Sequence, residues 1–368
     1  MKRIGICCIF NNPSHYRSGI YRLMEQKLNC DFFFGNISKD SIKRMDYAFF
    51  RKKPVDFHTL RFGVFNWISG SFSLVFKPYK KYVLTGDIFC ISNWLILIIA
   101  KLSGKKTYLW THGWYGDENI GKIVLKKIFF GLSSGIFLYG DYAKNLMIKN
   151  GICANKLHVI YNSMDYHQQL TVRNSLGTST VFQDYFGNNN PVIIFTGRLN
   201  KGKKLELLIE AHHRLYQLGY FYNIILLGDG SEIEYLKSRV NTLNMERFFW
   251  FYGACYDEST IGNFYYQASI CVSPGNIGLT AIHSMMFGCP AITHSDYCNQ
   301  GPEFEIIELG KTGDFFINGD INSLVNTIKE WIKNNYPKSD SLKQRCFDVI
   351  DTKYNPDNQI KIFKEVLI

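Results

Sequence analysis

Val192-Ile193-Ile194-Phe195-Thr196-Gly197-Arg198-Leu199-Asn200-Lys201-Gly202-Lys203-Lys204-Leu205 reads as a buried strand, a tight basic loop and the start of a helix. The run 192–195 is wholly apolar, as a strand covered on both faces requires. Gly197 and Gly202 permit close backbone approach, and Arg198 and Lys203 bring two fixed cations into the loop. A helix beginning near Leu205 would aim its positive N-terminus at the same point. These parts together predict a site for a diphosphate; a solvated basic turn is the alternative. The loop is not a Walker sequence, because Gly-x-x-x-x-Gly-Lys-Ser/Thr is absent.

The same alternation spreads outward in both directions. After this loop, helical patterns over 205–218, 279–287, 321–334 and 360–368 are interleaved with strand-like runs at 223–227, 248–252, 269–272 and 291–293. Before it, strand-like runs occupy 4–10, 30–34, 82–85, 106–110, 135–139 and 158–161, with helices over 21–28 and 88–102. Strands alternating with helices predict an α/β chain of parallel sheets covered by helices, here in two tandem units. Residues 172–190 carry turn and linker chemistry, ending in Gly187-Asn188-Asn189-Asn190-Pro191. The predicted domains are therefore 1–171 and 191–345, joined by a linker at 172–190. Parallel sheets bind ligands outside the carboxyl ends of their strands. The loops after 195, 227, 252 and 272 would then face one crevice between the halves.

Charge separates the halves. The chain of 368 residues carries a net +11. Up to residue 180 there are 25 Lys+Arg and 10 Asp+Glu, or +15, which leaves −4 for the rest. A basic half suggests an anionic partner such as nucleic acid, a membrane face or a lipid phosphate; a Lys-rich surface of an AT-rich genome is the alternative. The phosphate loop sits in the less basic half and no nucleic-acid motif occurs, so nucleic acid is not expected. Ten scattered cysteines show no Cys-x-x-Cys pair and no zinc spacing, which fits a reducing cytoplasm. The N-terminus lacks the apolar length and cleavage site of a signal peptide. The run 94–100 is too short for a membrane span.

Two further loops carry chemistry. Gly228-Asp229-Gly230 follows the strand at 223–227; a sharp strand-to-helix turn is its default explanation. Ser273-Pro274-Gly275-Asn276-Ile277-Gly278-Leu279-Thr280-Ala281-Ile282-His283 places small residues before a helix, whose free N–H groups would form a second anion site. The Thr280 hydroxyl would add a bond. His283 is one turn into that helix, as a ligand or as plain core.

In this order the motifs resemble the nucleotide-sugar-binding half of GT4-type glycosyltransferases. Gly197-Arg198-Leu199, Lys203, Gly228-Asp229-Gly230, Phe251-Tyr252-Gly253, Ser273-Pro274, Gly278-Leu279, Gly288-Cys289-Pro290 and Glu305-Ile306-Ile307-Glu308-Leu309-Gly310-Lys311-Thr312-Gly313 carry the likeness. It covers residues 191–335. Over 1–170 it rests on Trp110-Thr111-His112-Gly113 and on 156–165.

The resemblance implies a GT-B fold of two Rossmann-like domains facing a central crevice, with a C-terminal segment, 346–368, returning to the first domain. It implies that Arg198 and Lys203 hold the donor diphosphate. Gly197, Asn276, Gly278, Leu279 and Thr280 would line the phosphate and sugar, and Gly253 the base. His112 would meet the donor sugar from the first domain; a strand-end His bonded to backbone is the alternative. Glu305 matches a later Glu of the family. No cofactor is implied, since the nucleoside-diphosphate sugar is a co-substrate. No Asp-x-Asp motif occurs, so no metal ligands are expected.

One departure stands out. The family usually has two Glu eight positions apart, where this chain has Gly275 and His283. The second Glu usually binds ribose hydroxyls, a task His283 would take over. Glu303, in Gly301-Pro302-Glu303-Phe304-Glu305, is the expected replacement for the first. The variant Pro-Gly-Asn-x-Gly-Leu-Thr-Ala resembles a subgroup of bacterial surface-polysaccharide assembly (O-antigen, capsule or exopolysaccharide).

On the acceptor side, the loop 11–19 follows the first strand. Tyr16 and Arg17 would contact a glycan or lipid-linked glycan acceptor, Arg17 through a phosphate; a turn with a helix start explains the same residues. Retention would let the departing phosphate take the acceptor proton. Inversion would need a base from His15, Asp87 or His112. The basic, aromatic stretch 51–81 either rests on a membrane or covers an aromatic core. The expected location is the cytoplasm or the cytoplasmic face of the inner membrane. The rival functions are an epimerase of the same fold and an inactive nucleotide-sugar-binding scaffold.

Overall fold

A computed structural model describes residues 5–36 and 44–368. Residue 4, the expected start of the first strand, lies outside the described residues. The strands, in chain order, are β1 (Ile6–Phe10), β2 (Cys30–Gly35), β3 (Val55–Phe57), β4 (Thr59–Phe62), β5 (Phe65–Ile68), β6 (Lys81–Thr85), β7 (Lys106–Thr111), β8 (Gly135–Leu138) and β9 (Leu157–Val159). They continue with β10 (Val192–Thr196), β11 (Asn223–Leu227), β12 (Phe249–Gly253), β13 (Ile270–Ser273), β14 (Ala291–His294) and β15 (Gly313–Phe316). The chain divides into two compact units: residues 1–166 with 353–368, and residues 167–352.

The first unit holds a parallel seven-stranded sheet in the order β3-β2-β1-β6-β7-β8-β9. Strand residues alternate between two cores. Cys7 and Ile9 join one, with helices Ile91–Leu102 and Ile120–Leu132. Ile6, Cys8 and Phe10 join the other, with helices Ser18–Leu28 and Pro356–Leu367. Both faces are covered, which is why these strands read as continuous apolar runs. The C-terminal helix does return to this unit: Phe363 packs edge-on to Trp110 at 5.2 Å, and Gln359 accepts from Ser163 at 2.6 Å. An antiparallel hairpin, β4–β5, is added between β3 and β6.

The second unit holds a parallel six-stranded sheet, β12-β11-β10-β13-β14-β15. Within the unit this is strand order 3-2-1-4-5-6, that of a doubly wound Rossmann-like sheet. The order reverses between β10 and β13, and the first sheet reverses likewise between β1 and β6. Ligands of such sheets collect at these reversals, so topology selects two loop pairs: those after β10 and β13, and those after β1 and β6.

Several boundaries differ from the sequence reading. The helix expected from residue 88 begins at Ile91, because Asp87 accepts from the Phe89 amide at 2.9 Å and holds 88–90 in a turn. Residues 172–190 contain the end of helix Tyr166–Ser175 and the helix Val181–Phe186, since Phe182 buries against Phe264. Helix Asp340–Thr352 belongs to the second unit, so the return begins at residue 353. Among the described residues, no helix is long and apolar enough to cross a membrane.

Candidate active site

In the second unit, backbone packing locks the loops after β10, β11 and β12 together. Gly197 (φ 138°) donates to the Leu227 carbonyl at 3.0 Å, and Leu199 donates to Asp229 at 2.9 Å. A Cβ on Gly228 would lie 1.8 Å from the Gly197 oxygen, and one on Gly230 2.3 Å from the Leu199 oxygen. Gly228 and Gly230 are therefore demanded by neighbouring backbone, which answers why that fragment exists. Gly253 (φ 91°) joins the same network, its carbonyl accepting from Gly228 at 2.8 Å.

Across the reversal, the loop after β13 is pressed onto the loop after β10. Gly275 donates to the Lys203 carbonyl at 3.0 Å, and a Cβ there would lie 2.1 Å from the Gly202 oxygen. The Lys203 ammonium crosses to the Asn276 carbonyl. Burial lowers the Lys203 pKa, while neighbouring groups including Glu303 act to raise it. Glu303 is buried on the one-turn helix Pro302–Ile306, with Pro302 at its start and half-buried Glu305 beside it. Its carboxylate abuts Gly301, next to Asn276 and Gly278. Arg198 is exposed at the loop's rim.

Gly278 (φ 52°) turns the chain into helix Thr280–Met286. Among the described residues, the amides of Gly278, Leu279 and Thr280 donate to no protein acceptor. Three such amides beside the Lys203 ammonium can accept an anion. The Thr280 hydroxyl is committed instead to the Thr196 carbonyl, at 3.0 Å.

His283 is not free to act alone. Its Nε2 lies 3.0 Å from Glu258, on helix Glu258–Gln267, and Gln169 donates to the same carboxylate oxygen at 3.2 Å. Although burial opposes it, the His283 hydrogen bond leads the interactions that hold Glu258 below the usual carboxylate range. A carboxylate thus stands beside position 283 from another helix, where no motif spacing could reveal it.

In the first unit, Tyr16 and Arg17 lie on the turn His15–Arg17 after β1. The Arg17 guanidinium sits over Trp110 (5.0 Å), Tyr16 (5.5 Å) and Tyr139 (5.6 Å). It donates to the hydroxyls of Tyr139 and Tyr21, and its Nε is buried with no acceptor. No carboxylate pairs with it among the described residues. His112 follows β7, its ring 4.8 Å from Tyr139. Gly113 (φ 74°) sets the turn, and Lys126 fastens it by bonding to the Gly113 carbonyl and to Glu118. The His112 ring has solvent access, yet surrounding protein, then Arg17 and Lys126, push its pKa down to about 4.

Asp87 and His15 are not among the rings and hydroxyls that surround Arg17. Both Asp87 oxygens accept bonds within the fold, from Phe89 N at 2.9 Å and from the amides of Asn66 (3.0 Å) and Asn11 (3.4 Å). That makes Asp87 a brace for the loop after β1. His15 is exposed, with its ring edge-on to Tyr16 at 6.0 Å. Trp110, Tyr139, Glu258 and Gln169 are absent from the sequence-derived site. Trp110 and Tyr139 read there as strand residues, and Gln169 and Glu258 carried no pattern at all.

Two tandem Rossmann-like units, with anion loops at the reversal of the second, define a GT-B fold. Residues 180–347 match the family Glycosyl transferases group 1. Solved structures share the fold over 99% of both chains. The lipopolysaccharide outer core galactosyltransferase WaaB in its apo form aligns at 17% identity and a TM-score of 0.70. HepE (Alr3699) of Anabaena, in complex with UDP, aligns at 16% and 0.71, and a glycosyltransferase of Rickettsia africae at 14% and 0.72. No curated protein sequence matches the chain.

Proposed function

We propose that this chain is a GT4-type glycosyltransferase. It would move a hexose-type sugar from a nucleoside diphosphate to a glycan or polyprenyl-linked glycan during assembly of a bacterial surface polysaccharide. The observation that carries this reading is the pairing of Lys203 with the unbonded amides of Gly278, Leu279 and Thr280 at the β10/β13 reversal. The structures of HepE with UDP and with UDP-glucose favour UDP as the donor's nucleotide.

In this mechanism the anomeric carbon–oxygen bond to the diphosphate breaks. Lys203, Arg198 and the three amides take up the charge on the departing group without a metal. The acceptor oxygen bonds the anomeric carbon on the same face, and its proton passes to the departing phosphate, which retains configuration. Glu303 faces the sugar side in place of a residue at 275. Glu258, positioned by His283 and Gln169, supplies the carboxylate for the ribose hydroxyls. Arg17 in its aromatic cage takes an anionic group of the acceptor. The protein would work in the cytoplasm against the inner membrane.

A thermal-shift series with UDP-, GDP-, ADP- and dTDP-sugars tests the donor, because a ligand that binds only the folded state raises the melting temperature. UDP-sugars are expected to raise it most, and Glu258→Gln to shrink that rise. No rise with any of the four removes the reading.

His112 gives a pH test. With its pKa at about 4 the ring is neutral at physiological pH, a hydrogen-bonding group rather than a cation. The folded value lies below the unfolded 6.5, so acidification from 6.5 through 4 favours unfolding through this group. Wild-type and His112→Gln turnover are expected to keep a constant ratio from pH 8 down to about 5. A ratio that titrates near 6.5 would refute a His112 held neutral over that range.

A further inference from the structure

The first unit exposes apolar side chains in two stripes. On helix Ile91–Leu102, Ile91, Leu95, Ile98 and Leu102 follow the i, i+4, i+7, i+11 spacing of one face, and Leu102 is 80% exposed. On helix Ile120–Leu132, Ile120, Val124, Leu125 and Ile128 share one face at i, i+4, i+5 and i+8, with Ile120 82% exposed. The helices are neighbours on one face of the sheet: their inner sides share a core, and Trp94 packs on Phe129 at 4.9 Å. Their stripes therefore lie side by side on the outside of the layer. The hairpin β4–β5 docks at the start of the first helix through Asn66 N to Phe89 O (2.9 Å), and adds exposed Phe62, Val64 and Phe65. Scattered exposed aliphatics need no explanation, but a continuous patch marks a surface that something covers.

Charge identifies the occupant. Residues 57–140 hold ten Lys+Arg but only three acids, Asp87, Asp117 and Glu118. Two of the acids are internal, Asp87 bracing its turn and Glu118 paired with Lys126. Lys101, Lys122 and Lys127 are exposed on or beside the stripes and make no ion pair among the described residues. Aliphatic stripes framed by unpaired lysines match an anionic lipid surface, with aliphatics among the acyl chains and ammoniums at the headgroups. A second copy of the chain would bring lysines against lysines.

We infer that the outer faces of helices Ile91–Leu102 and Ile120–Leu132, with the β4–β5 hairpin, form a docking surface for an anionic bilayer. This deepens the membrane contact in the proposed function, and moves its centre from the stretch 51–81 to two helices beyond it.

The test is co-sedimentation with phosphatidylglycerol-containing vesicles and with phosphatidylcholine vesicles. Wild type is expected to bind the former, more weakly as salt rises. Each Lys→Glu at 101, 122 or 127 is expected to weaken partition about fivefold or more, and Ile98→Glu with Val124→Glu to abolish it. All five positions are exposed, so the variants should keep the wild-type thermal rise with UDP, which separates this result from the donor reading. Failure of wild type to bind any vesicle overturns membrane contact altogether. Normal binding by Ile98→Glu/Val124→Glu overturns only this surface, as does a concentration-dependent dimer in ultracentrifugation that those changes dissolve.

Discussion

A folded Lys203→Ala protein is expected to lose about 10²–10³-fold in turnover, the loss typical of one pre-oriented donor at a site of developing charge. The Asn276 carbonyl fixes where the ammonium stands, so it needs little reorganisation as the diphosphate departs. Burial already disfavours its charged form, so the fold gains little by keeping it there. A half-buried cation that does little for stability is better explained by catalysis. Truncation removes a half-buried side chain at a loop and should leave both sheets intact. Lys203→Arg should recover little, because a planar guanidinium cannot replace a point charge that ends on the Asn276 carbonyl. Initial rates with a UDP-sugar, alongside a melting curve, check this. Turnover like wild type from folded Lys203→Ala would remove the diphosphate assignment.

Local signals made the fold legible. Strands covered on both faces are continuous apolar runs, and all eleven expected strand segments coincide with observed ones to within a residue or two. β3, β4, β5 and β15 escaped notice. Val55–Phe57 and Thr59–Phe62 are largely exposed, and Gly313–Phe316 begins on the last glycine of the motif 305–313. The glycines of the second unit's loops were legible because neighbouring backbone leaves no room for a side chain there. Glu258 was not, because its partnership with His283 spans 25 positions and two helices. Nor was the Arg17 cage, whose rings come from β7 and the end of β8. Spacing encodes neighbours along one element; contacts between elements need the fold.

Gly275 turns that difference into a prediction. Sequence comparison makes it look like a lost carboxylate, so Gly275→Glu looks like a repair. The geometry requires the opposite result. A Cβ there would lie 2.1 Å from the Gly202 oxygen and 2.8 Å from Lys203 Cα, both backbone. Neither can rotate away, and the loop cannot retreat. Gly275 N is bonded to the Lys203 carbonyl at 3.0 Å, while the Thr293 hydroxyl holds the Gly275 oxygen at 3.1 Å. Overpacking of this kind costs about 1–3 kcal/mol, or roughly 2–12 °C for a domain of this size. The damage falls on the two loops that must meet around a diphosphate, so binding should suffer more than stability. Gly275→Ala, which adds only the Cβ, is expected to abolish the thermal rise with UDP, and Gly275→Glu to be inactive. Glu303→Gln, which keeps the packing and removes one charge, should still bind UDP while turning over slowly. Wild-type or higher activity in Gly275→Glu would show that the loops can part, and that the carboxylate belongs at 275 after all. Inactive Gly275→Ala beside UDP-binding Glu303→Gln would instead show that the sugar-side carboxylate moved to Glu303 because close-packed loops left no room for it at 275.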